Sequence, residues 1–278
     1  MKVTILGCGA SPGVPRIDGA WGACDPAEPR NRRSRGSILV EEGGTRLLVD
    51  TSPDLRQQFL ASGITEISAI LWTHDHADQT HGIDDIRFLA YAARRQIPAY
   101  GDAFTLERLD RKFGYCFHKS SDGYPPIIET RLIEGPFRAG SIDVLPIHQQ
   151  HGRIHSLGFR FGDFAYSNDV SSLDDDAFAA LAGIRLWVVD ALRHEPHPSH
   201  SHLAQTLDWI ARVKPERAVL TNMNVELDYR RLLAELPSGV EPAHRTGCRP
   251  LRKNQLWRRW RFVPPRWHAA DHAPLSPC

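Results

Sequence analysis

Long apolar runs are absent from this 278-residue sequence: no stretch approaches the ~18 consecutive apolar residues that a membrane-spanning helix requires. The apolar stretch within residues 1–7 is too short for a secretory signal, so we expect a cytoplasmic protein without a membrane partner. Cysteine is also scarce, with five residues spread from Cys8 to Cys278. An odd, scattered set favours a reducing compartment over a disulfide framework.

Acidic residues are nearly missing from residues 244–278, which contain eight Lys/Arg and a single acid, Asp271. Removing these from the totals of 34 basic and 33 acidic residues leaves residues 1–243 with a net charge of about −6. An acidic body argues against nucleic acid as its partner. We therefore expect one domain over 1–243, followed by a basic, Trp-, Arg- and Pro-rich tail over 244–278.

The tail shows no sustained period of 2 or 3.6, and we expect it to be poorly ordered. A frameshifted end is one explanation, because residues 236–240 read as the approach to a final strand that does not arrive. The functional alternative is a basic, aromatic arm for nucleic acid or anionic lipid.

Strand-like and helix-like segments alternate in two halves of residues 1–243, a pattern typical of packed sheets with helices outside. Strands are predicted at 2–6, 37–40, 46–50, 69–72, 97–100, 130–133, 142–147, 158–161, 164–166, 184–190 and 217–221. Helices are predicted at 53–62, 82–95, 103–113, 174–182, 201–213 and 227–236.

The segment 73–78, Thr-His-Asp-His-Ala-Asp, follows a buried strand and carries the strongest functional signal. His74 and His76 lie two residues apart on extended backbone, so both imidazoles project the same way and can reach one ion. Asp78 can add a carboxylate as the chain turns. A solvated polar turn is the alternative interpretation.

Further ligands of such an ion are expected at other strand ends. His151 and Asp169 each follow a predicted strand, where ligands gather when sheets present their ends to a cleft. Taken singly, His151 could be an ordinary polar loop residue and Asp169 a helix cap. Taken together, the two residues support the prediction of a metal site.

The order Asp50, then 73–78, then His151, then Asp169 resembles the metallo-β-lactamase superfamily. The segments 6–15 and 82–87 are similar to its PhnP-like branch, whose best-known members are phosphodiesterases that open cyclic ribose phosphates. The resemblance covers residues 1–240. It implies an α/β fold, a four-layer αββα sandwich of two sheets with outer helices.

By position, the resemblance makes His74, His76, His151 and Asp169 the ligands of a first metal ion. Asp78 and a bridging Asp169 would hold a second. Many relatives carry histidine where this chain has Gln79 and Asn222, and an amide oxygen is a harder and weaker ligand than imidazole. These two residues are therefore weaker second-site candidates. One or two divalent ions, Mn²⁺ or Zn²⁺, are expected, the second site being biased towards Mn²⁺.

His200 matches a catalytic histidine of PhnP-like enzymes and immediately precedes a predicted helix, for which Ser201 is a plausible N-cap. We expect His200 to assist the leaving group and Asp78 to orient or deprotonate the attacking water, with hydroxide generated at the metal as nucleophile. The alternative is that His200 has no role. Loop 114–128 and the arginines of loop 30–35 are expected to cover a phosphate-bearing substrate.

The expected function is a metal-dependent hydrolase, a phosphodiesterase of cyclic or small nucleotide-like phosphodiesters. Hydrolysis of another ester or thioester is an alternative, because fold and metal site are shared while specificity lies in loops. A catalytically impaired metal- or nucleotide-binding protein is a second alternative, motivated by Gln79 and Asn222. Cys8 and Cys24 are expected to be buried free thiols, since a structural zinc needs four donors. The sequence is compatible with a monomer or a homodimer.

Overall fold

Two β-sheets, one from each half of the chain, form the centre of the computed structural model, which describes residues 1–119 and 124–245. The first sheet contains six strands in sequence order: β1 (Lys2–Gly7), β2 (Ser37–Glu42), β3 (Thr45–Val49), β4 (Ala69–Leu71), β5 (Ile97–Gly101) and β6 (Ile128–Leu132). The second contains seven: β7 (Phe137–Ala139), β8 (Ile142–His151), β9 (Ile154–Phe161), β10 (Phe164–Ser167), β11 (Leu186–Asp190), β12 (Arg217–Thr221) and β13 (Val240–Pro242).

Both sheets change from antiparallel to parallel pairing part-way across. Strands β3 to β6 are parallel in the first sheet, and β10 to β13 are parallel in the second. Carboxyl ends of parallel strands meet at one edge of a sheet, where ligand sites usually form. Each half of the chain therefore presents one such edge.

The two-residue period of the strands divides the apolar side chains between two cores. In β3, Leu47 and Val49 are fully buried in the core shared with the second sheet. Leu48, between them, is equally buried on the opposite face, with Trp72 and the helices that cover the first sheet. A strand buried on both faces reads as a continuous apolar run, which explains the sequence of β3.

The described residues contain seven α-helices: α1 (Leu55–Ser62), α2 (Ala77–Thr80), α3 (Arg87–Ala93), α4 (Ala103–Phe117), α5 (Asp175–Leu181), α6 (Leu203–Val213) and α7 (Tyr229–Glu235). Residues of α1, α3 and α4 belong to the first core, with Leu48. Residues of α5, α6 and α7 belong to the core of the second sheet. The order helix, sheet, sheet, helix confirms the predicted αββα sandwich.

Several predicted boundaries are wrong for local physical reasons. The helix expected at 53–62 begins at Leu55, after Asp54, whose carboxylate accepts hydrogen bonds from Arg35. The helix expected at 82–95 is a 3₁₀ turn over Ile83–Ile86 followed by α3, which ends where Arg94 becomes left-handed. The helix expected at 103–113 continues to Phe117 through a non-helical Phe113.

The final strand, expected to be missing, is present as β13 and pairs in parallel with β12. The strand β7 was not expected either, because three residues are too few to show a period. His244 and Arg245 follow β13. The rest of the predicted tail, residues 246–278, lies outside the described residues. Within the described ranges, the helices are all too short or too polar to cross a bilayer.

The arginine-rich loop 30–35 is held by partners within the protein. Arg30 pairs with the buried carboxylate of Glu28, and Arg35 pairs with Asp54 at 2.8 Å. Arg33 is buried and donates to the carbonyl oxygen of Leu227 at 2.7 Å. Their guanidinium groups fasten the loop to its surroundings, and covering of the substrate by this loop stays a prediction.

We predict that Leu47→Ala lowers the free energy of unfolding by about 2–5 kcal/mol, because it opens a cavity between the two sheets. Urea unfolding monitored by tryptophan fluorescence measures the change. Leu233→Ala, on an exposed face of α7, is the matched control and should stay within about 0.5 kcal/mol of the parent. Equal losses in both variants would contradict the assignment of Leu47 to the inter-sheet core.

Candidate metal centre

The histidine motif lies at the carboxyl end of β4. His74 is buried, whereas His76 is exposed and forms the N-cap of α2. The two rings meet edge to face with their centroids 4.5 Å apart. Both imidazoles project the same way, as predicted, because alternate residues on extended backbone face the same way.

The second sheet brings its own candidates to the same place. His151 is the last residue of β8, and its ring centroid lies 5.0 Å from that of His74 and 5.1 Å from that of His76. One ring nitrogen from each of the three histidines lies within 4.8 Å of the others. Asp169 follows β10 and is buried, with Oδ2 3.9 Å from Nε2 of His74. Three chain segments thus converge at the seam between the sheets.

Hydrogen bonds fix which nitrogen of each buried histidine faces the centre. Nδ1 of His74 lies 3.0 Å from the hydroxyl of Thr73, which in turn donates to the buried carboxylate of Asp50. Nδ1 of His151 lies 2.6 Å from the carbonyl oxygen of Ser199 and donates to it. Because Nδ1 of each ring donates a hydrogen bond, Nε2 keeps its lone pair and can bind a metal. Hydrogen-bond acceptors behind metal-binding histidines commonly fix the ring in this form.

Burial keeps these imidazoles uncharged. Burial and the neighbouring rings of His151 and His76 hold the pKa of His74 well below its usual range. Burial, with the charge of His200, lowers the pKa of His151 to about 4. Both rings are neutral at pH 7, and neutral imidazole is the form that binds a metal.

The donor set fits one divalent ion. Nε2 of His74 is buried and has no hydrogen-bond partner, although burying an imidazole nitrogen without one costs free energy. It is directed at the position that the nitrogens of His76 and His151 also approach. Imidazoles with one carboxylate suit Zn²⁺ and also accept Mn²⁺. These residues would hold such an ion.

A fourth histidine, His200, lies beside the cluster of His74, His76 and His151. His200 lies in the loop before α6, its ring centroid 4.7 Å from that of His151. Its Nδ1 lies 3.1 Å from Oδ2 of Asp190 and 3.3 Å from Oδ1 of Asp169. Burial disfavours a charge on His200, but the hydrogen bond and charge of Asp190 raise its pKa to about 9. His151, Asp169 and His200 form a second group of possible ligands.

The predicted cap of α6 is wrong. Ser201 is not the N-cap; its hydroxyl donates to the carbonyl oxygen of Asp190 at 2.8 Å, and His202 is the N-cap. Thr206 donates to the same carbonyl oxygen at 2.6 Å. These two hydroxyls tie the end of β11 to the start of α6, and they hold Asp190 beside His200.

The remaining predicted site residues surround Asp169. The amide nitrogens of Gln79 and Asn222 lie 2.7 Å and 2.9 Å from its carboxylate oxygens. Gln79 also lies 3.3 Å from Oδ2 of Asp78, which is half-buried in the first turn of α2. Burial and the charge of Asp78 raise the pKa of Asp169 well above its usual range. All the predicted site residues therefore lie in one neighbourhood.

Backbone strain is concentrated at this seam. Asp50, Asp169 and Asn222 each have a positive φ, of 64°, 51° and 58°, just after the strands β3, β10 and β12. Left-handed backbone is uncommon for residues with a side chain, and Asp and Asn tolerate it best. Strained conformations of this kind cluster where a site needs a side chain turned in a particular direction.

Three further residues of the site, Asp50, Asp75 and Asp190, have no predicted role. Asp50 stands in the predicted motif order without one, and Asp190 ends a buried apolar strand, the same signal that indicated Asp169. Asp75 stands between the two motif histidines and points away from them. Its role depends on α4, which is distant in sequence.

Helix α4 clamps the histidine motif through Asp75. Oδ2 of Asp75 accepts hydrogen bonds from Nε of Arg108 at 2.6 Å and from Nζ of Lys112 at 2.8 Å. Lys112 also donates to the backbone oxygen of Asp75 at 2.8 Å. Burial disfavours the Asp75 carboxylate, but these two cations lower its pKa below the usual value. One carboxylate thereby offsets part of the charge of two cations, one residue from each motif histidine.

The two cysteines of the long first loop lie apart from this centre. Cys8 and Cys24 are buried and free, and each thiol lies 3.5 Å from a backbone carbonyl oxygen. Burial raises the pKa of Cys8 to about 11. Among the described residues, no group of three or more potential ligands includes either cysteine. The structure agrees with the prediction of two buried thiols.

Residues 45–223 match the family model of the β-lactamase superfamily domain. The chain belongs to the metallo-β-lactamase superfamily. Within it, the chain is similar to a diphosphatase from the PhnP family whose crystal structure superposes with a TM-score of 0.82. That likeness has 33% identity and covers 87% of this chain and 94% of the diphosphatase. The chain is a PhnP-like member of the superfamily, as predicted.

Other relatives match part of this chain. An octanoyltransferase from Porphyromonas gingivalis is 30% identical over 228 residues, 81% of this chain and 46% of the relative. A ribonuclease Z from a Bradyrhizobium species is 29% identical over 141 residues, 48% of this chain and 46% of the relative. The chain spans less than half of these two curated relatives. Zn²⁺-bound PqqB from Methylobacterium extorquens shares the fold, with a TM-score of 0.72. That likeness has 20% identity and covers 90% of this chain and all of PqqB.

We predict that Asp75→Asn weakens binding of Zn²⁺ or Mn²⁺ about 10–100-fold, the range seen when a group that supports metal ligands is removed. The amide would leave Arg108 and Lys112 uncompensated beside the ligands and would loosen the motif. Competition with a chelator measures the dissociation constant. Asp84→Asn is the matched control, because Asp84 pairs with Arg87 instead. An unchanged dissociation constant in Asp75→Asn would rule out the clamp.

Proposed function

We propose that this protein is a metal-dependent hydrolase of phosphodiesters, acting on cyclic or small nucleotide-like substrates. The observation that carries the proposal is the position of His200, held by Asp190 and one ring away from the ligand His151. A proton donor and a set of metal ligands therefore border the same small space. The 33% identity with a diphosphatase of the PhnP family supports a phosphate ester as substrate.

His74, His76, His151 and Asp169 would hold the ion, Zn²⁺ or Mn²⁺. A divalent ion bound there would lower the pKa of a coordinated water towards neutrality and would offset charge on the phosphoryl group. Asp78, half-buried beside this group, orients the attacking water and accepts its proton. A positioned carboxylate in such a role contributes about 10²–10⁴-fold to the rate.

His200 acts on the leaving group. Its Nδ1 is bound to Asp190, so Nε2 is the nitrogen available to the substrate. The hydroxyls of Ser201 and Thr206, by fixing the backbone of Asp190, hold the orientation of that ring. A proton on Nε2 passes to the departing ribose oxygen as the phosphorus–oxygen bond breaks, so the leaving group departs as a neutral alcohol.

We predict that His76→Ala abolishes turnover of bis(p-nitrophenyl) phosphate in Mn²⁺, because it removes one of the three imidazoles. His200→Ala should lower kcat about 10²–10⁴-fold while leaving metal content close to the parent value, because its role is proton transfer. Release of p-nitrophenol and elemental analysis give the two readouts. His155→Ala, on the exposed side of β9, is the matched control.

Two outcomes would count against this assignment. Full activity of His76→Ala would remove that residue from the centre. Parallel losses of rate and metal in His200→Ala would make His200 a ligand or a structural residue. A bound ion without turnover of any ester would favour the metal- or nucleotide-binding alternative.

The partial match to ribonuclease Z raises RNA as a second substrate class. Its phosphodiester bonds would suit the same centre, but the body of the chain is acidic and offers no basic platform. A substrate panel of cyclic phosphodiesters, linear phosphodiesters, thioesters and a structured RNA separates these classes. We expect the small phosphodiesters to be hydrolysed with the highest kcat/KM.

A further inference from the structure

The carboxylate of Asp169 is surrounded by primary amides. Its Oδ2 accepts hydrogen bonds from Nε2 of Gln79 at 2.7 Å and from Nδ2 of Asn168 at 3.0 Å. Its Oδ1 accepts from Nδ2 of Asn222 at 2.9 Å. The carboxylate itself is 2% exposed, so these amides replace water around it. Three side chains, from α2 and from the turns after β10 and β12, thus donate to one buried group.

This arrangement limits what Asp169 can still bind. A carboxylate has about four acceptor positions, and the amides occupy three of them. The fourth position, on Oδ1, is faced by Nδ1 of His200 at 3.3 Å, whereas Oδ2 is the oxygen that faces the imidazole cluster, 3.9 Å from Nε2 of His74. An ion held by the imidazoles would therefore share Oδ2 with the amides, and a bridge to a second ion would need a further acceptor position that these donors already take. Asp169 therefore fits the ion of the imidazole cluster and does not fit a bridge to a second ion.

Gln79 occupies the place that a second ion would need. Its Nε2 lies 2.7 Å from Asp169 and 3.3 Å from Oδ2 of Asp78, between the two carboxylates that would hold that ion. The positive end of the amide dipole offsets the charge of both. The amide of Asn222 offsets the charge of Asp169 at its other oxygen, Oδ1. Nδ2 of Asn222 also lies 3.1 Å from Nδ1 of His200.

The opposite orientation of the amides has a different consequence. With their oxygens turned inwards, Gln79 and Asn222 would place lone pairs against the lone pairs of Asp169, and a cation between them would be needed to hold the group together. The amide oxygens of both residues are buried and accept no hydrogen bond. The two orientations therefore predict different numbers of bound ions.

We infer that the centre holds a single divalent ion, and that the side-chain amides of Gln79 and Asn222 take the place of the second. This inference deepens the proposed function, since it concerns the same centre. His200 is then the group that neutralises charge on the side of the substrate away from the ion. The residues would suit a phosphodiester with a single phosphate better than a doubly charged phosphomonoester, which a pair of ions would attract more strongly.

Metal stoichiometry tests the inference without any measurement of turnover. The full chain is freed of metal with a chelator, dialysed against increasing Mn²⁺ or Zn²⁺, and analysed for metal and protein. We expect saturation at one ion per chain, and an electron paramagnetic resonance spectrum of isolated Mn²⁺. Saturation at two tight ions, or the spectrum of an exchange-coupled pair, overturns the inference even where phosphodiesters are hydrolysed.

A gain of metal gives the sharper test. In the double variant Gln79→His, Asn222→His, imidazoles replace the amide donors and can ligate, so we expect two ions per chain and a coupled Mn²⁺ spectrum. Asn224→His is the matched control: Asn224 lies two residues further along the same loop and interacts with Glu226, so this variant should keep one ion. A folded double variant that still binds one ion overturns the inference. If the double variant does not fold, the stoichiometry of the parent protein decides.

Discussion

Convergence of buried imidazoles and carboxylates at the seam between two sheets is the constraint on which the rest of the structure depends. Groups of this kind lose hydration when they are buried, and each needs a partner that replaces water. The protein supplies these partners from both halves: Thr73 and Asp50 behind His74, the carbonyl oxygen of Ser199 behind His151, and amides around Asp169. Nε2 of His74 has no such partner, and it faces the place where an ion fits.

The fold explains why this seam forms. Each sheet turns from antiparallel to parallel pairing, so each has an edge at which several strands end together. The strands β3 and β4 end at the seam from one side, and β10, β11 and β12 from the other. Aspartates and asparagine in left-handed backbone turn the chain at these ends. The same turns that stop the strands direct side chains towards the centre.

The candidate ligands could be predicted because their signals are local, and the order of those motifs, through the resemblance to the superfamily, implied the sandwich and the ligand set. Alternating His74 and His76 after a buried strand, and polar residues after other strands, are visible in short windows of sequence. Asp75 could not be assigned because its partners, Arg108 and Lys112, are set by the packing of α4 against the motif. The arginines of loop 30–35 could not be assigned their partners for the same reason. Their charge is visible in the sequence, but Glu28, Asp54 and the carbonyl oxygen that hold them are not.

The distance in sequence between the ligands has a consequence for how the protein matures. His74 and His76 leave the ribosome long before His151 and Asp169, which come from the second half of the chain. During synthesis the first sheet can therefore assemble with its histidines exposed and without a competent centre. Binding of an ion by all four ligands must wait until β8 and β10 have paired with β9, so acquisition of the ion reports that this part of the second sheet has formed.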